Sequence, residues 1–392
     1  MHVVIAPTPI AGLTSSAAAE VMARVWGESA PGDVVTTVPL ASDGTGLAAL
    51  AATAKPAYAV GPAAEVVAVT VRGPEGAAVP ATLTIVEVGG GRTVYLNGSD
   101  AVGPHLASDV QGAALEGTSA GLAELIVAAA AAGATRVIVG LEGGVALDGG
   151  AGLLAALGVE PAGALSRGGL ALAAIEQVDA DSLRRARERF KGIDLVVATD
   201  LDLPLLGFHG TAATQGGDLG LPASDTQALE AALGTFVDAA TAALDQRDLL
   251  TGRPRRLDRE PGAGAGGGAA HGLLLLGARV HEASPEIIHV ADLPAHLADA
   301  DLVVTTCDRF DWDSVRRGVI RAVADEAATR AIPALVVATE CLVGRREVMG
   351  MGLAGSHALA ERPDQAEAVQ RDPEGALAER TARLARTWSP RR

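Results

Sequence analysis

The chain has 392 residues, enough for two domains with separate cores. Its formal charge of −16 excludes a protein built mainly to hold nucleic acid, because neutralising phosphates needs a basic surface. Two cysteines, Cys307 and Cys341, are too few for a disulfide scaffold or an all-cysteine zinc site and fit a reducing cytoplasm.

In chain order, Met1 to Pro7 lacks the basic start and apolar length of a signal peptide and reads as a first strand over 2–6. An Ala-rich helix is expected over 15–26, then a β-branched strand over 34–38 that runs into the cluster Pro39 to Gly46. Between 61 and 98 the pattern changes to short antiparallel strands at 65–71, 81–86 and 93–96, separated by Gly/Pro turns. That switch marks a second domain beginning near residue 60. The longest apolar tract, 121–140, is interrupted by Glu124 and Arg136 and divided by Gly133 into a helix (118–132) and a strand (136–140), so no membrane span is expected.

A dense glycine cluster, 140–152, follows that strand. Arg184, Arg185, Arg187 and Arg189 read as a solvated helix face ahead of a strand at 194–198. After a helix at 225–245, the mixed-charge segment 247–260 reads as an exposed loop. Pro261 to Gly272 holds six glycines in twelve residues and leads into Leu273 to Ala278. Strands at 301–305 and 333–338 flank a helix at 317–330, and the charged end from about Ala360 reads as a loosely attached helix with a frayed tail. Strands alternating with helices mean a mostly parallel sheet covered on both faces.

Strand, glycine turn and helix is the arrangement by which α/β proteins present amides to an anion, although a Gly/Ala run is also the composition of a flexible linker. Only Lys55 and Lys191 are lysines among 31 basic residues. Any phosphate chemistry must therefore use arginine, backbone amides or metal.

Taken together, the segments resemble the glycerate kinase family over roughly residues 1 to 340. Pro261 to Ala278 follows the family's Pro-Gly-Ala-Gly-Ala-x-Gly-Gly pattern. Asp148-Gly149-Gly150 is similar to the end of its Asn-Asp-Gly-Gly motif, Ala198 to Gly207 to its Cys-Asp-Val-x-Asn-Pro-Leu-Leu-Gly, and Asp301 to Thr305 with Arg309 and Asp311 to its Asp-Leu-Val-Ile-Thr-Gly-Glu-Gly-Arg-Leu-Asp. The departures fall on polar positions. Thr8 and Ala11 replace an acid and a lysine, Leu203 an asparagine, and Thr306-Cys307-Asp308 a Gly-Glu-Gly; the lysine of a Gln-Lys-Gly expected near 218–220 is absent, as is that of a later Gly-Lys, where Arg317-Gly318 stands.

The resemblance implies two α/β domains. One is Rossmann-like with a mostly parallel sheet (1–60 plus 285–392), and the other is inserted, with a mixed sheet (61–284); the family's cleft between them is the expected binding place. It further implies an ATP- and Mg²⁺-dependent kinase of glycerate or a similar small hydroxy acid, cytoplasmic, with a nucleotide and that acid as partners and with neither nucleic acid nor membrane. An oligomer stays open. The competing expectation is a catalytically degenerate relative that binds a metabolite or a partner, because removing electrostatic contacts from a phosphoryl-transfer site costs on the order of a hundredfold each.

Asp148, Asp200 and Arg309 are the implied catalytic survivors. Gly149, Gly150, Gly264, Gly266, Gly267, Asp202, Asp311 and His271 are the implied substrate or nucleotide groups, with the 261–272 loop offering amides and metal ligands unassigned. From the residues alone, alternatives remain. Asp148 either handles a substrate hydroxyl or Mg²⁺, or caps the following helix. Asp200 and Asp202 share one side of an extended segment or belong to a turn. Arg309 binds an anion or pairs with Asp311 and Asp308, and His271 faces the site or packs. Glu142 and Asp43 read as solvated loop charge, and Cys307 has no partner for nucleophilic chemistry.

Overall fold

The computed structural model describes residues 1–54, 59, 64–247 and 252–389. Lys55, the boundary expected near residue 60 and the middle of the 247–260 segment lie outside the described residues. Among the described residues the strands are β1 (His2–Pro7), β2 (Val34–Thr37), β3 (Glu65–Arg72), β4 (Ala78–Val88), β5 (Gly91–Asn97), β6 (Arg136–Gly140), β7 (Asp194–Ala198), β8 (Arg279–His281), β9 (Leu302–Phe310), β10 (Ala334–Cys341) and β11 (Leu353–Ala358). They fall into two compact units, one drawn from 1–43 and 284–389, the other from 44–53 and 64–283.

The first unit is an all-parallel sheet of order β11-β10-β9-β1-β2. Its central strands read as unbroken apolar runs because both faces are covered, the usual condition of a parallel sheet. Val3, Ile5, Leu302, Val304, Leu335 and Val337 form one face and share a core with Met22 and Trp26 of helix Ser15–Ser29 and with Leu377 and Leu384 of helix Pro373–Trp388. β9 and β10 run five and three residues further than expected from sequence, because the pairing continues to Glu340↔Arg309 and Cys341↔Phe310.

The C-terminal helix corrects the expectation of a loosely attached tail. Leu377, Thr381, Leu384 and Ala385 recur at helical spacing and are buried, while Asp372 caps the first turn by accepting from the Gly375 amide at 2.9 Å. Asp33 ties three parts of the unit together. Its carboxylate lies 3.3 Å from the amino group of Met1 and accepts from Trp26 Nε1 at 3.0 Å and from the Ser389 hydroxyl. Burial alone would raise its pKa, but these donors together hold it below the usual carboxylate value.

The second unit is a six-stranded mixed sheet of order β3-β4-β5-β6-β7-β8. β3, β4 and β5 are antiparallel neighbours and β5 to β8 are parallel, so the change of pattern seen in the sequence is a change of strand direction. Its core is mostly Ala, Val and Leu, with Tyr95 and Phe236 as the largest fully buried side chains. Two expectations on this unit need correction. Arg187 does not belong to the solvated face, because its Nη1 donates to the Leu275 carbonyl at 2.7 Å. In the 247–260 segment Leu257 and Asp258 are buried. Among the described residues no single helix is long and apolar enough to cross a membrane.

Leu377 is fully buried under the sheet of the first unit. Leu377→Ala is expected to destabilise the protein by about 2–5 kcal/mol, read from chemical denaturation, whereas a frayed tail would give no measurable change.

Candidate functional site

In the second unit the two long glycine clusters interlock. Gly264 donates to the Leu203 carbonyl at 2.8 Å, Gly266 to the Glu142 carbonyl at 2.6 Å and Gly268 to the Gly264 carbonyl at 3.0 Å. Gly267 donates to Gln215 Oε1 at 3.1 Å, and the amides of Ala263, Ala265, Ala269, Ala270 and His271 reach backbone carbonyls between Glu260 and Gly268. The amides from Ala263 through His271, expected to face an anion, are all engaged within the chain. The glycines serve close packing. A Cβ on Gly267, whose φ is +71°, would lie 2.0 Å from the carbonyl oxygen of Ala146.

Gln215 is a residue that sequence reasoning missed. It is buried, accepts from the amides of both Gly144 and Gly267 through Oε1 at 3.1 Å, and donates from Nε2 to the Gly264 carbonyl at 2.9 Å. The available signal was the glutamine sought near 218–220, which stands three residues earlier.

Asp148 is wholly buried. Its Oδ2 accepts from the Ser119 amide (2.8 Å), the Ser119 hydroxyl (2.9 Å) and the Gly152 amide (3.0 Å), and its Oδ1 from the Gly150 amide (2.9 Å). Burial raises its pKa against the lowering effect of these donors. These bonds join the starts of helices Ala120–Ala131 and Ala151–Ala156. The Gly149 amide donates to the Gly267 carbonyl at 3.1 Å.

His271 likewise packs. Its Nδ1 lies 3.1 Å from the Gly149 carbonyl, its ring meets Phe236 edge-on at 5.8 Å, and burial pushes its pKa below the ordinary value.

What remains open to chemistry in this unit is the carboxyl edge of the parallel strands, where α/β sheets bind their ligands. Glu142 follows β6, Thr199 and Asp200 follow β7, and Ala283 follows β8. Glu142 Oε1 accepts from the Asp200 amide at 3.2 Å and the Thr199 hydroxyl at 3.4 Å, and Asp200 Oδ1 accepts from the Ala283 amide at 3.0 Å. Glu142 is therefore half-buried and bonded, which corrects its reading as solvated loop charge. Asp202 is exposed and does not share the setting of Asp200. Among the described residues no cluster of three or more His, Cys, Asp or Glu side chains is arranged to hold a metal ion. Two carboxylates on neighbouring strand ends suit Mg²⁺, which takes one or two carboxylates and fills its shell with water and substrate phosphates.

In the first unit the chain leaves β1 and β9 in opposite directions across the sheet, so a switch point lies between these strands. Both strand ends are closed by the chain itself. Thr8 donates its hydroxyl to the Thr306 carbonyl, and Thr306 returns a bond to the Thr8 carbonyl at 2.6 Å. Asp308 accepts from the Ala11 amide and from the Thr339 hydroxyl at 3.1 Å. Arg309 is exposed, with Nε 3.2 Å from Asp311 Oδ2, and Asp311 caps helix Trp312–Arg316 by accepting from the amides of Asp313 and Ser314. Of the two acids considered for Arg309, its ion-pair partner is Asp311. Burial raises the Cys307 thiol pKa above its usual range.

Residues 3–389 match the model of the glycerate kinase family. The chain belongs to this family. It is 32% identical to a glycerate kinase of Bacillus subtilis strain 168 over 86% of this chain and 85% of that protein. It is 30% identical to a glycerate 2-kinase of Escherichia coli K12, over 86% and 85% respectively. A crystal structure from Salmonella typhimurium LT2, assigned by name to glycerate kinase 2, superimposes with a TM-score of 0.73 at 26% identity, covering 99% of this chain and 96% of that one. The α/β architecture of a parallel sheet and a mixed sheet is that of the family.

Gly267→Ala is expected to cost about 2–4 kcal/mol through left-handed strain and overpacking, while Gly143→Ala, with open space at its Cβ, leaves the unfolding midpoint unchanged. The depressed pKa of His271 means that the unfolded chain binds a proton which the folded chain resists, so stability is lost as pH falls below the ordinary value of 6.5. Urea titrations at pH 8 and pH 5 are expected to show a shallower pH dependence for His271→Gln than for the wild type.

Proposed function

We propose that the protein is a phosphotransferase of glycerate kinase type, transferring the γ-phosphoryl group of ATP to a hydroxyl of glycerate or a similar small hydroxy acid. The reading rests on family membership and is carried by one observation, the bonded Glu142–Thr199–Asp200 group at the carboxyl ends of β6 and β7. In this reading the hydroxyl oxygen forms a bond to the γ-phosphorus, the bond to the ADP oxygen breaks, and the hydroxyl proton passes to a carboxylate. Asp200, braced by the Ala283 amide, is the candidate for that proton or for a Mg²⁺ contact. Mg²⁺ would supply charge neutralisation on the phosphates, with Asp200 and Glu142 as its protein-side holders. The bonds already made by Asp148, His271 and the 261–272 amides argue for scaffolding roles at those positions.

A second reading has a specific observation in its favour. Reciprocal threonine bonds and the Asp308 carboxylate fill the strand ends of the first unit where the family carries an acid, a lysine and a Gly-Glu-Gly. That replacement supports a relative that binds a metabolite or a partner without turnover.

Thermal unfolding with MgATP and with D-glycerate, followed by an ADP-release assay, separates the two readings. The kinase reading expects a raised midpoint with MgATP at millimolar concentration, glycerate-dependent ADP release, and a loss on the order of a hundredfold in Asp200→Asn with an unchanged midpoint. No shift with either ligand and no ADP release would leave the non-catalytic reading.

A further inference from the structure

β3 is an outer strand of the mixed sheet and pairs on one side only, with β4. The hairpin bond from the Gly73 amide to the Ala77 carbonyl fixes the alternation along it. Odd-numbered residues turn their amides and carbonyls to β4, whereas Val66, Ala68, Thr70 and Arg72 turn theirs away. At Arg72 the outward groups are used. Its amide donates to Glu124 Oε2 at 2.8 Å, its Nε donates to Glu124 Oε1 at 2.6 Å, and its carbonyl is packed so closely on Gly121 that a Cβ there would lie 1.8 Å from the oxygen. Among the described residues no partner takes the outward amides and carbonyls of Val66, Ala68 and Thr70.

Sheet edges in folded proteins are usually blunted by lysine, proline or a bulge, because an open ladder is a template for another strand. β3 carries none of these. Its register runs without a shift from Glu65↔Ile85 to Arg72↔Ala78, and the side chains on its uncovered face are Val66, which is 54% exposed, Ala68 and Thr70. On the other face Val67, Val69 and Val71 pack with the core of the unit, so the open edge is held extended from beneath.

The open groups are symmetric about Ala68. An antiparallel copy centred there sets Val66 against Thr70 of the second copy and Ala68 against its own counterpart, so that every open amide meets an open carbonyl. Centring on Val69 instead would set Val66 against Arg72, whose amide is taken, and centring on Val67 would set Thr70 beyond the start of the strand. Charge agrees with the same register. Glu65 falls opposite Val71 and next to Arg72 of the second copy, so unlike charges meet at both ends and like charges nowhere, in a chain whose formal charge of −16 otherwise opposes self-association. We propose that β3 is a self-association surface, to which a second copy of this chain adds its own β3 about a two-fold axis at Ala68, joining two six-stranded sheets into one. A strand pair alone buries less than the roughly 1,200–2,000 Å² of a standard interface, so the dimer dissociates at a concentration on the order of tens of micromolar. The inference concerns assembly and does not rest on the phosphotransfer reading.

The test is sedimentation velocity of the full chain from about 5 to about 500 μM, where the wild type is expected to pass from monomer to dimer. Ala68→Pro removes an outward amide and no bond to β4, and is expected to weaken the dimer at least about tenfold at an unchanged thermal midpoint. Two double variants then fix the register. Val66→Lys with Thr70→Lys sets like charges opposite one another across the axis and is expected to stay monomeric, whereas Val66→Lys with Thr70→Glu sets unlike charges there and is expected to dimerise at least as well as the wild type. Misfolding does not mimic that contrast, since both pairs alter the same two exposed positions. A wild type that stays monomeric throughout, or a dimer that responds to none of these changes, overturns the proposal. Neither ATP nor glycerate is present, so failure here is distinguishable from failure of the kinase reading.

Discussion

One side-chain amide, that of Gln215, bonds both glycine segments of the second unit. It sits between the glycine segment after β6 and the glycine segment before β8, accepting from an amide of each and donating to a carbonyl of the second. Two irregular backbones packed this closely leave no room for water, so each buried N–H must find a partner in the protein. Where the backbone cannot supply one, Gln215 does. The glycines are the other half of the same constraint, since a Cβ at Gly144 would meet the Gly266 carbonyl carbon at 2.4 Å and one at Gly150 would meet the Gly272 Cα at 2.5 Å. An unsatisfied amide inside this joint costs about 1–3 kcal/mol, comparable with the loss of a core methyl cluster.

That joint explains which parts of the structure could be read from sequence. Strands β1, β6 and β7 announce themselves as short runs of Val, Ile and Leu, because a strand buried on both faces must be apolar throughout. The shift to antiparallel pairing in β3 to β5 shows in the Gly and Pro turns between them. The use of the glycines does not show. A Gly-rich turn that cradles a phosphate and one that packs against another turn have the same composition, and only the destinations of the amides tell them apart. Residues such as Glu142 carried no signal for a different reason. Its partners, Thr199 and the Asp200 amide, lie more than fifty positions away. The C-terminal helix was obscured by composition, with Leu377, Thr381, Leu384 and Ala385 recurring at helical spacing inside a stretch dominated by Arg and Glu.

The departures from the family pattern form a physical set rather than a scatter. Thr8 and Thr306 are separated by 298 positions, yet each hydroxyl bonds the carbonyl of the other. Neither substitution alone makes this joint, since the bond from either hydroxyl would leave the other strand end unanswered. Asp308 then takes the Ala11 amide at the position where the family has its lysine. These strand ends are held together by hydroxyls and a carboxylate bonded inward. Charged groups without partners are costly to bury, and groups that satisfy one another avoid that cost.

The strand ends of the second unit have followed another course. Glu142 and Asp200 keep acidic groups at the carboxyl edge of a parallel sheet, half-buried and each accepting from a backbone amide. Holding two carboxylates near one another costs electrostatic energy that a purely structural joint has no reason to retain, as the hydroxyl-based joint of β1 and β9 demonstrates in the same chain. Fixed dipoles and amides directed at such a pair lower that cost without removing the charge, which is the condition a metal-bound phosphate or a substrate hydroxyl requires. The contrast between an inwardly satisfied strand edge and one that retains braced acids is the physical reason for proposing Asp200, and not the buried Asp148, as the acid of the site, since the four donors of Asp148 already occupy both of its oxygens.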